Sequence, residues 1–179
     1  MADTLNTVQN AVPNATQIWP LQRDCVAFYG NPNASTFEAQ HLVFVNPPFD
    51  MSYRDGQHES AVKKITINRA CSASLARVLS AVWSGCAHSQ AEIDRLGISD
   101  FSGSYNNRTI RGSHFLSMHA FGAAIDFCAG RNALTYDKTG GYFKPDHPLV
   151  KAFKAEGWIW GGDWQGRRDP MHFQAARVR

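Results

Sequence analysis

The sequence predicts an α+β fold in which an antiparallel sheet is flanked by helices. Apolar patterns typical of helices and of strands are mixed along the chain without the regular strand–helix–strand rhythm of a parallel sheet. The 179 residues suffice for one hydrophobic core, and the 44% hydrophobic and 18% charged residues are typical of a folded protein. We therefore expect a single domain over residues 1–179, with the polar, Asn-rich residues 1–18 forming an arm.

Helices are predicted where apolar residues recur every three or four positions. The clearest covers 72–84, and others are expected at 21–29 and 148–156, each followed by a glycine that suits a helix end. Ser89 has a glutamate three positions later, as in a capping box, and begins a shorter helix that Gly97 closes.

Strands are predicted from short apolar runs that are bounded by turn residues. They are expected at 41–46, 65–67, 123–127, 158–160 and 171–174. Residues 49–60 are predicted to be loop, and the polar stretch 103–111 a hairpin or loop.

Composition excludes several classes of function. The net charge of +3 is too small, and too little interleaved with aromatic residues, for a nucleic-acid surface. No apolar run reaches membrane-spanning length, so membrane insertion is not expected. We expect a monomer.

The cysteines and the N-terminus bear on where the protein works. Four cysteines without C-x-x-C spacing predict buried thiols, with a bridge such as Cys71–Cys86 as the alternative for a protein that works outside the cell. The first residues lack the basic start and apolar centre of a signal peptide. We expect a cytoplasmic protein, unless a leader has been removed.

The residues that could carry chemistry lie in two stretches, 117–126 and 169–172. The first reads Ser-Met-His-Ala-Phe-Gly-Ala-Ala-Ile-Asp and the second Asp-Pro-Met-His. A catalytic zinc takes three protein ligands and keeps one position open for water. We predict zinc ligands at His119, Asp126 and His172, with Asp169 as the general base that takes a proton from the metal-bound water.

The local sequence around these residues suggests how they could meet. Gly122 interrupts any helix over 119–126, and residues 123–127 suit a strand that places Asp126 on one face. Pro170 excludes a helix interior and fixes a bend, which lets Asp169 approach the same space as His172.

The two-part motif resembles the M15 family of zinc peptidases. The residues that carry this resemblance are Ser117-x-His119-x-x-Gly122-x-Ala124-x-Asp126 and Asp169-x-x-His172. The likeness covers roughly residues 62–174, including Tyr105-x-x-Arg108 and the segment 157–164, Gly-Trp-Ile-Trp-Gly-Gly-Asp-Trp. The family comprises D-alanyl-D-alanine carboxypeptidases and L-alanyl-D-glutamate endopeptidases, including phage endolysins, with a fold shared by the Hedgehog signalling domain.

The resemblance implies a role for each matched position. It implies zinc at His119, Asp126 and His172, and an acidic base at Asp169, where many members carry the longer Glu. An arginine that contacts the substrate carbonyl or carboxylate is implied at Arg108, with Arg111 as the fallback. Ser117 is implied to orient the loop or to contact substrate, and Trp160 could line the substrate groove or belong to the core.

Three functions follow as hypotheses. The first is a zinc endopeptidase that cleaves the peptidoglycan stem peptide between L-Ala and D-Glu, acts as an endolysin and reaches the wall during lysis. The second is a D-alanyl-D-alanine carboxypeptidase. The third is a zinc-binding interaction module that keeps the fold without the catalysis. A structural zinc is disfavoured because such sites prefer four protein ligands.

Overall fold

A computed structural model of the protein describes residues 18–55 and 58–178. The described chain is a mixed α/β structure, with a six-stranded sheet, a two-stranded sheet and several helices. The predicted arm, residues 1–18, lies outside the described residues except for Ile18, which is exposed.

The helices largely follow the apolar spacing. They are α1 (Cys25–Tyr29), preceded by a 3-10 turn at Gln22–Asp24, α2 (Phe37–His41), α3 (Arg69–Gly85), α4 (Gln90–Arg95) and α5 (Pro148–Ala155). The predicted 72–84 helix begins three residues earlier, because the Asn68 side chain caps it by accepting from the Ala70 N–H at 3.1 Å. The cap at Ser89 is confirmed, since its hydroxyl accepts from the Glu92 N–H at 3.3 Å. Within the described residues, none of the helices combines the length and apolar character needed to cross a membrane.

The strands form two sheets. They are β1 (Leu42–Val45), β2 (Ser52–Asp55), β3 (His58–Ala61), β4 (Ile65–Asn68), β5 (Asp100–Gly103), β6 (Ala124–Phe127), β7 (Ile159–Trp160) and β8 (His172–Gln174). Strands β1 and β4 pair with each other, and the larger sheet has the order β3-β2-β5-β6-β8-β7. The pair β2–β5 is parallel and the other strand pairs are antiparallel.

Two sequence-based predictions need correction. The larger sheet is mixed rather than purely antiparallel, because β2 and β5 run in the same direction. Residues 49–60 are not a loop, since they contain β2 and part of the hairpin partner β3. Strand β3 is exposed throughout, so its residues carry no alternation of apolar and polar side chains from which a strand could be predicted.

The core lies between the long helix α3, helix α5 and the centre of the larger sheet. Phe153 of α5 stacks on Phe173 of β8, with ring centroids 4.3 Å apart. The Glu156 carboxylate, just after α5, accepts two hydrogen bonds from Arg77 of α3 at 2.9 and 2.7 Å. These contacts fix β8, which carries one of the predicted metal ligands, against the helical layer.

All four cysteines are free and buried, as the sequence predicted. Burial raises the pKa of the Cys71 thiol to about 12, so it stays protonated at neutral pH.

Candidate metal centre

Three side chains converge at the centre of the larger sheet. Asp126 on β6 and His172 on β8 are directly paired across the two antiparallel strands, and their side chains meet with His172 Nδ1 and Asp126 Oδ1 2.9 Å apart. His119, on the loop before β6, brings its Nε2 to 3.2 Å from both Asp126 Oδ2 and His172 Nδ1. Within the described residues, this is the one cluster of three His, Cys, Asp or Glu side chains able to share an ion.

A tight loop holds His119 over the strand. The backbone turns back at Gly122, which has a φ of +62°, and the Gly122 N–H donates to the His119 carbonyl at 3.0 Å. Ser117 is buried, and its hydroxyl accepts from the His119 N–H at 3.3 Å. The predicted turn at Gly122 is thus present, and the Ser117 side chain contacts the loop while also lining the cleft described below.

Asn68 anchors the same loop from below, a role that the sequence reasoning missed. Its side-chain amide donates to the carbonyls of Tyr29 and Phe121, each at 3.0 Å, and its backbone N–H donates to the Gly122 carbonyl at 2.7 Å. The side chain is 2% exposed. An asparagine that ends a strand and caps a helix gives no sequence signal for a partner more than fifty residues away.

In each imidazole, the outer nitrogen, which faces away from Asp126, lies close to a hydrogen-bond acceptor. His119 Nδ1 lies 2.5 Å from the Ser104 carbonyl, and His172 Nε2 lies 3.2 Å from Gln174 Oε1. In the neutral rings these outer nitrogens carry the hydrogen, which leaves His119 Nε2 and His172 Nδ1, the nitrogens that face Asp126, as the atoms that could bind an ion. Gln174 was also missed, although its position two residues after His172 on a strand places both on one face.

The donor set fits a zinc ion. Tetrahedral ligands at about 2.0–2.1 Å from zinc lie roughly 3.3 Å from each other. The two imidazole nitrogens are 3.2 Å apart, and each lies close to a different oxygen of Asp126, His119 Nε2 at 3.2 Å from Oδ2 and His172 Nδ1 at 2.9 Å from Oδ1. Two imidazole nitrogens and one carboxylate, with room for a fourth ligand, form the usual set of a catalytic zinc site.

The electrostatics of the cluster also favour a cation. Burial works to raise the pKa of Asp126, but hydrogen bonds from His119 and His172 outweigh it and hold the pKa below its ordinary value. Burial works to lower the pKa of His172, and the Asp126 carboxylate reverses this and raises it. The Asp126 carboxylate thus favours a positive charge between itself and the His172 ring, a place that a divalent ion could take.

Asp169 lines the same cleft as the three converging side chains. Its backbone approaches Gly161 closely: the Asp169 N–H donates to the Gly161 carbonyl at 3.1 Å, and a Cβ at Gly161 would lie 2.4 Å from the Asp169 carbonyl oxygen. Asp169 Oδ1 is buried and has no hydrogen-bond partner within residues 18–55 and 58–178. Burial, with the nearby Asp126 carboxylate adding to it, raises the pKa of Asp169 to about 6.

The cleft above these residues has a volume of about 630 Å³. Three arginines line it, namely Arg108, Arg111 and Arg167. Both arginines considered from the sequence therefore reach the cleft, and Arg167 is an addition that the motif did not indicate. All three are exposed, which leaves their guanidinium groups accessible to a substrate.

The two tryptophans of segment 157–164 nearest the site have different environments. Trp160 is 4% exposed and donates its indole N–H to the Pro170 carbonyl at 2.8 Å. Trp164 lines the cleft, with its ring centroid 5.4 Å from that of His172. Asp163 between them is paired with Lys154, its Oδ2 lying 2.6 Å from Lys154 Nζ.

A larger groove, of about 1210 Å³, lies along β2, β3 and the start of β5. It holds no cluster of metal-ligating side chains among the residues that the structure describes. Two of its charged residues, Arg54 and Glu59, form an ion pair at 3.1 Å. Size alone therefore does not make it the active site, because the convergent donors lie in the smaller cleft.

Comparison with known proteins agrees with the geometry. Residues 111–175 match the model of a peptidase family of the M15 group, described as D-alanyl-D-alanine carboxypeptidase. The matched segment contains His119, Asp126, Asp169 and His172, and it begins at Arg111, three residues after Arg108. No solved structure matches the chain. The matched segment and the site that it contains support an M15 family peptidase.

Proposed function

We propose that this protein is a zinc-dependent peptidase that cleaves the stem peptide of peptidoglycan. The observation that carries the proposal is the convergence of His119, Asp126 and His172 on one small volume of the cleft that Asp169 also lines. The family match supports peptide hydrolysis, and the description of that family supports a peptidoglycan substrate.

The roles of the residues follow from their positions. A zinc ion held by the two histidines and Asp126 would supply Lewis acidity and a water of lowered pKa. Asp169 accepts the proton of the attacking water and later passes it to the leaving amine, a role for which its place in the cleft and its raised pKa suit it. An arginine of the cleft, Arg108 or Arg111, stabilises the negative charge that develops on the carbonyl oxygen. Ser117 fixes the His119 loop.

The cleft is suited to an anionic peptide. Its volume of about 630 Å³ lies within the range of sites that bury a drug-sized ligand, which corresponds to several peptide residues. Its three arginines favour carboxylates, which an arginine binds with two parallel hydrogen bonds. Trp164 provides the aromatic wall that the sequence reasoning assigned to Trp160.

The bond we propose is that between L-Ala and D-Glu, with an endolysin role by resemblance to the lytic members of the family. The second candidate is the bond between the two terminal D-Ala residues, which the description of the matched family favours. In both, the residue on the leaving side carries a free α-carboxylate beside the scissile nitrogen, so the arginines suit either. We also propose a monomer with the sheet-and-helix fold shared with the Hedgehog domain.

Digestion of purified muropeptides, followed by mass spectrometry, tests both bonds. An endopeptidase releases the stem peptide beginning with D-Glu, and a carboxypeptidase releases free D-Ala. Both products should disappear after treatment with a chelator and return on addition of zinc. Release of D-Ala alone would reject the endopeptidase, and chelator-resistant cleavage would reject the metal mechanism.

Substitution of Asp169 separates the enzyme from an interaction module of the same fold. We expect Asp169→Asn to keep one zinc per chain and to lose at least about a hundredfold in turnover, since general bases contribute roughly 10²–10⁴-fold. Zinc content by atomic absorption is the control for the metal site. A wild-type protein that binds zinc but cleaves no muropeptide would favour the interaction module instead.

A further inference from the structure

Arg167 and Asp169 lie on the same side of one short extended segment. Arg168 between them forms an isolated bridge with Thr135, in which the Thr135 N–H donates to the Arg168 carbonyl at 3.1 Å and the Arg168 N–H donates to the Thr135 carbonyl at 2.7 Å. Side chains alternate along an extended backbone, so the residues before and after Arg168 point the same way. The contacts agree with this alternation, because Arg167 and Asp169 both line the metal cleft, whereas the Arg168 guanidinium donates to the Gly162 carbonyl.

The Arg167 guanidinium is available to a ligand. The residue is exposed, and the ion pairs found within residues 18–55 and 58–178 do not include it. Its charge also reaches the neighbouring carboxyl: burial raises the pKa of Asp169, and the positive charge of Arg167 is among the effects that oppose this rise. The other two arginines of the cleft, Arg108 and Arg111, belong to a different part of the chain, the stretch before Ser117, whose N–H donates to the Arg108 carbonyl at 3.0 Å. Arg167 is therefore the cleft arginine that shares a segment with the proposed base.

The position of the base indicates which part of a substrate Arg167 would meet. In the proposed mechanism Asp169 passes a proton to the leaving amine, so that amine must come within hydrogen-bond distance of Asp169. In both candidate bonds the leaving residue carries its free α-carboxylate on the same carbon that bears this amine. A guanidinium beside Asp169 therefore meets a carboxylate, the group that an arginine binds with two parallel hydrogen bonds.

We propose that Arg167 binds the α-carboxylate of the residue on the leaving side of the scissile bond and so selects substrates in which this carboxylate is free. Arg108 or Arg111 is then left to stabilise the carbonyl oxygen on the other side of that bond. This assignment rests on the proposed peptidase function of the site. The feature selected is a negative charge, which is absent when the carboxylate is replaced by a carboxamide.

Paired substrates test the proposal, one with the free carboxylate and one with a carboxamide in its place. For the bond after L-Ala, the pair is a muropeptide that contains D-Glu and the same muropeptide with D-isoglutamine instead. For the terminal bond, it is a peptide that ends in D-Ala-D-Ala and the C-terminal amide of that peptide. We expect kcat/KM of the zinc-loaded protein to be about 10- to 100-fold higher for the carboxylate form, the range for loss of a hydrogen bond to a charged group. Arg167→Gln should abolish this preference by slowing cleavage of the carboxylate form.

Three other variants are the controls for this change. Arg108→Gln and Arg111→Gln should keep the preference for the carboxylate form, because the carbonyl oxygen on which either arginine acts is present in both forms. Lys151→Gln controls for net charge, since Lys151 is exposed on α5 and does not line the cleft. It should leave kcat/KM unchanged for both forms.

Binding gives a second measurement that does not depend on turnover. In the Asp169→Asn protein, isothermal titration calorimetry should give a lower dissociation constant for the carboxylate form than for the carboxamide form. Introducing Arg167→Gln into the same background should bring the two dissociation constants together. Zinc content should be the same in all these proteins, because Arg167 is not one of the proposed metal ligands.

The outcomes separate this inference from the proposed function. If the wild-type protein cleaves these substrates and Arg167→Gln keeps the preference for the carboxylate form, the inference on Arg167 is overturned and the peptidase function stands. Equal cleavage of the two forms by the wild type would overturn it as well. If the wild type neither binds nor cleaves either form of either substrate, the proposed function fails and the assignment of Arg167 fails with it.

Discussion

Gln174 should control metal affinity without touching the metal. Its Oε1 accepts from His172 Nε2 at 3.2 Å, and its amide donates to the Ala176 carbonyl at 2.7 Å. The side chain is 1% exposed, so water cannot replace it. Gln174→Met keeps an unbranched side chain and removes the acceptor, which frees the His172 proton to move to the nitrogen that faces the metal.

The size of the effect follows from the role of this hydrogen bond. Loss of a partner that orients a metal-bound histidine costs about 10- to 100-fold in metal affinity. That factor equals roughly 1.4–2.7 kcal/mol. At a fixed excess of zinc, the stabilisation of the fold by the metal falls by the same amount. For a domain of this size the gap in melting temperature between zinc-bound and metal-free protein should narrow by about 3–11 °C.

The assay is a competitive zinc titration together with melting curves for both metal states. The difference in melting temperature between zinc-bound and metal-free protein is the quantity to compare. The buried groups that lose a hydrogen-bond partner in Gln174→Met destabilise both forms, so that effect cancels in the difference. Gln174→Glu is the comparison variant, since it keeps an acceptor for His172 while it loses the donor to Ala176 and adds a negative charge. It should retain zinc affinity despite a lower melting temperature. Zinc affinity within threefold of wild type in Gln174→Met would refute the reasoning.

Two further predictions concern the frame of the site. Gly122→Ala should lower the free energy of unfolding by about 1–3 kcal/mol in urea titrations, because φ is +62° and a Cβ would lie 2.7–2.9 Å from a leucine methyl and a backbone nitrogen. Gly112→Ala should lower the free energy of unfolding by less, because φ is +77° there but the added Cβ would meet no atom within 4 Å. His147 must be neutral to accept from the Leu149 N–H while donating to the Leu96 carbonyl, and burial lowers its pKa below 6.5. The unfolded chain therefore binds a proton at His147 at a higher pH than the folded chain does, so the free energy of unfolding should fall as pH drops below about 6.5. This fall should be less steep in His147→Asn. Equal slopes of the free energy of unfolding against pH in the two proteins would contradict this.

Much of the site was predictable because strands alternate. Because residues 123–127 and 171–174 were assigned to strands, Asp126 was expected on one face of its strand. His172 was expected on the face opposite to that of the residues just before and after it. The glycine at 122 marked the turn, since few other residues adopt its positive φ. The two-part motif then supplied the identity of the family, which the match over residues 111–175 supports.

Other parts could not be predicted because their causes are distant in sequence. Strand β3 is exposed and polar. It forms through backbone pairing with β2 rather than through burial of apolar side chains. The parallel pairing of β2 with β5 depends on how the chain crosses the sheet, which no local pattern encodes. The Ser104 carbonyl that fixes the His119 tautomer is a backbone group, and any residue type would provide it.

The sequence by itself predicted which side chains could bind a metal and which carboxylate could serve as a base, because those capacities belong to the side chains. The tertiary structure decided that Asp126 and His172 face each other across one strand pair, that Asn68 holds the His119 loop, and that Trp164 rather than Trp160 lines the cleft. The physical reason is that the type of a side chain is fixed by the sequence, whereas its neighbours and its direction are fixed only when strand register and burial position it in the fold.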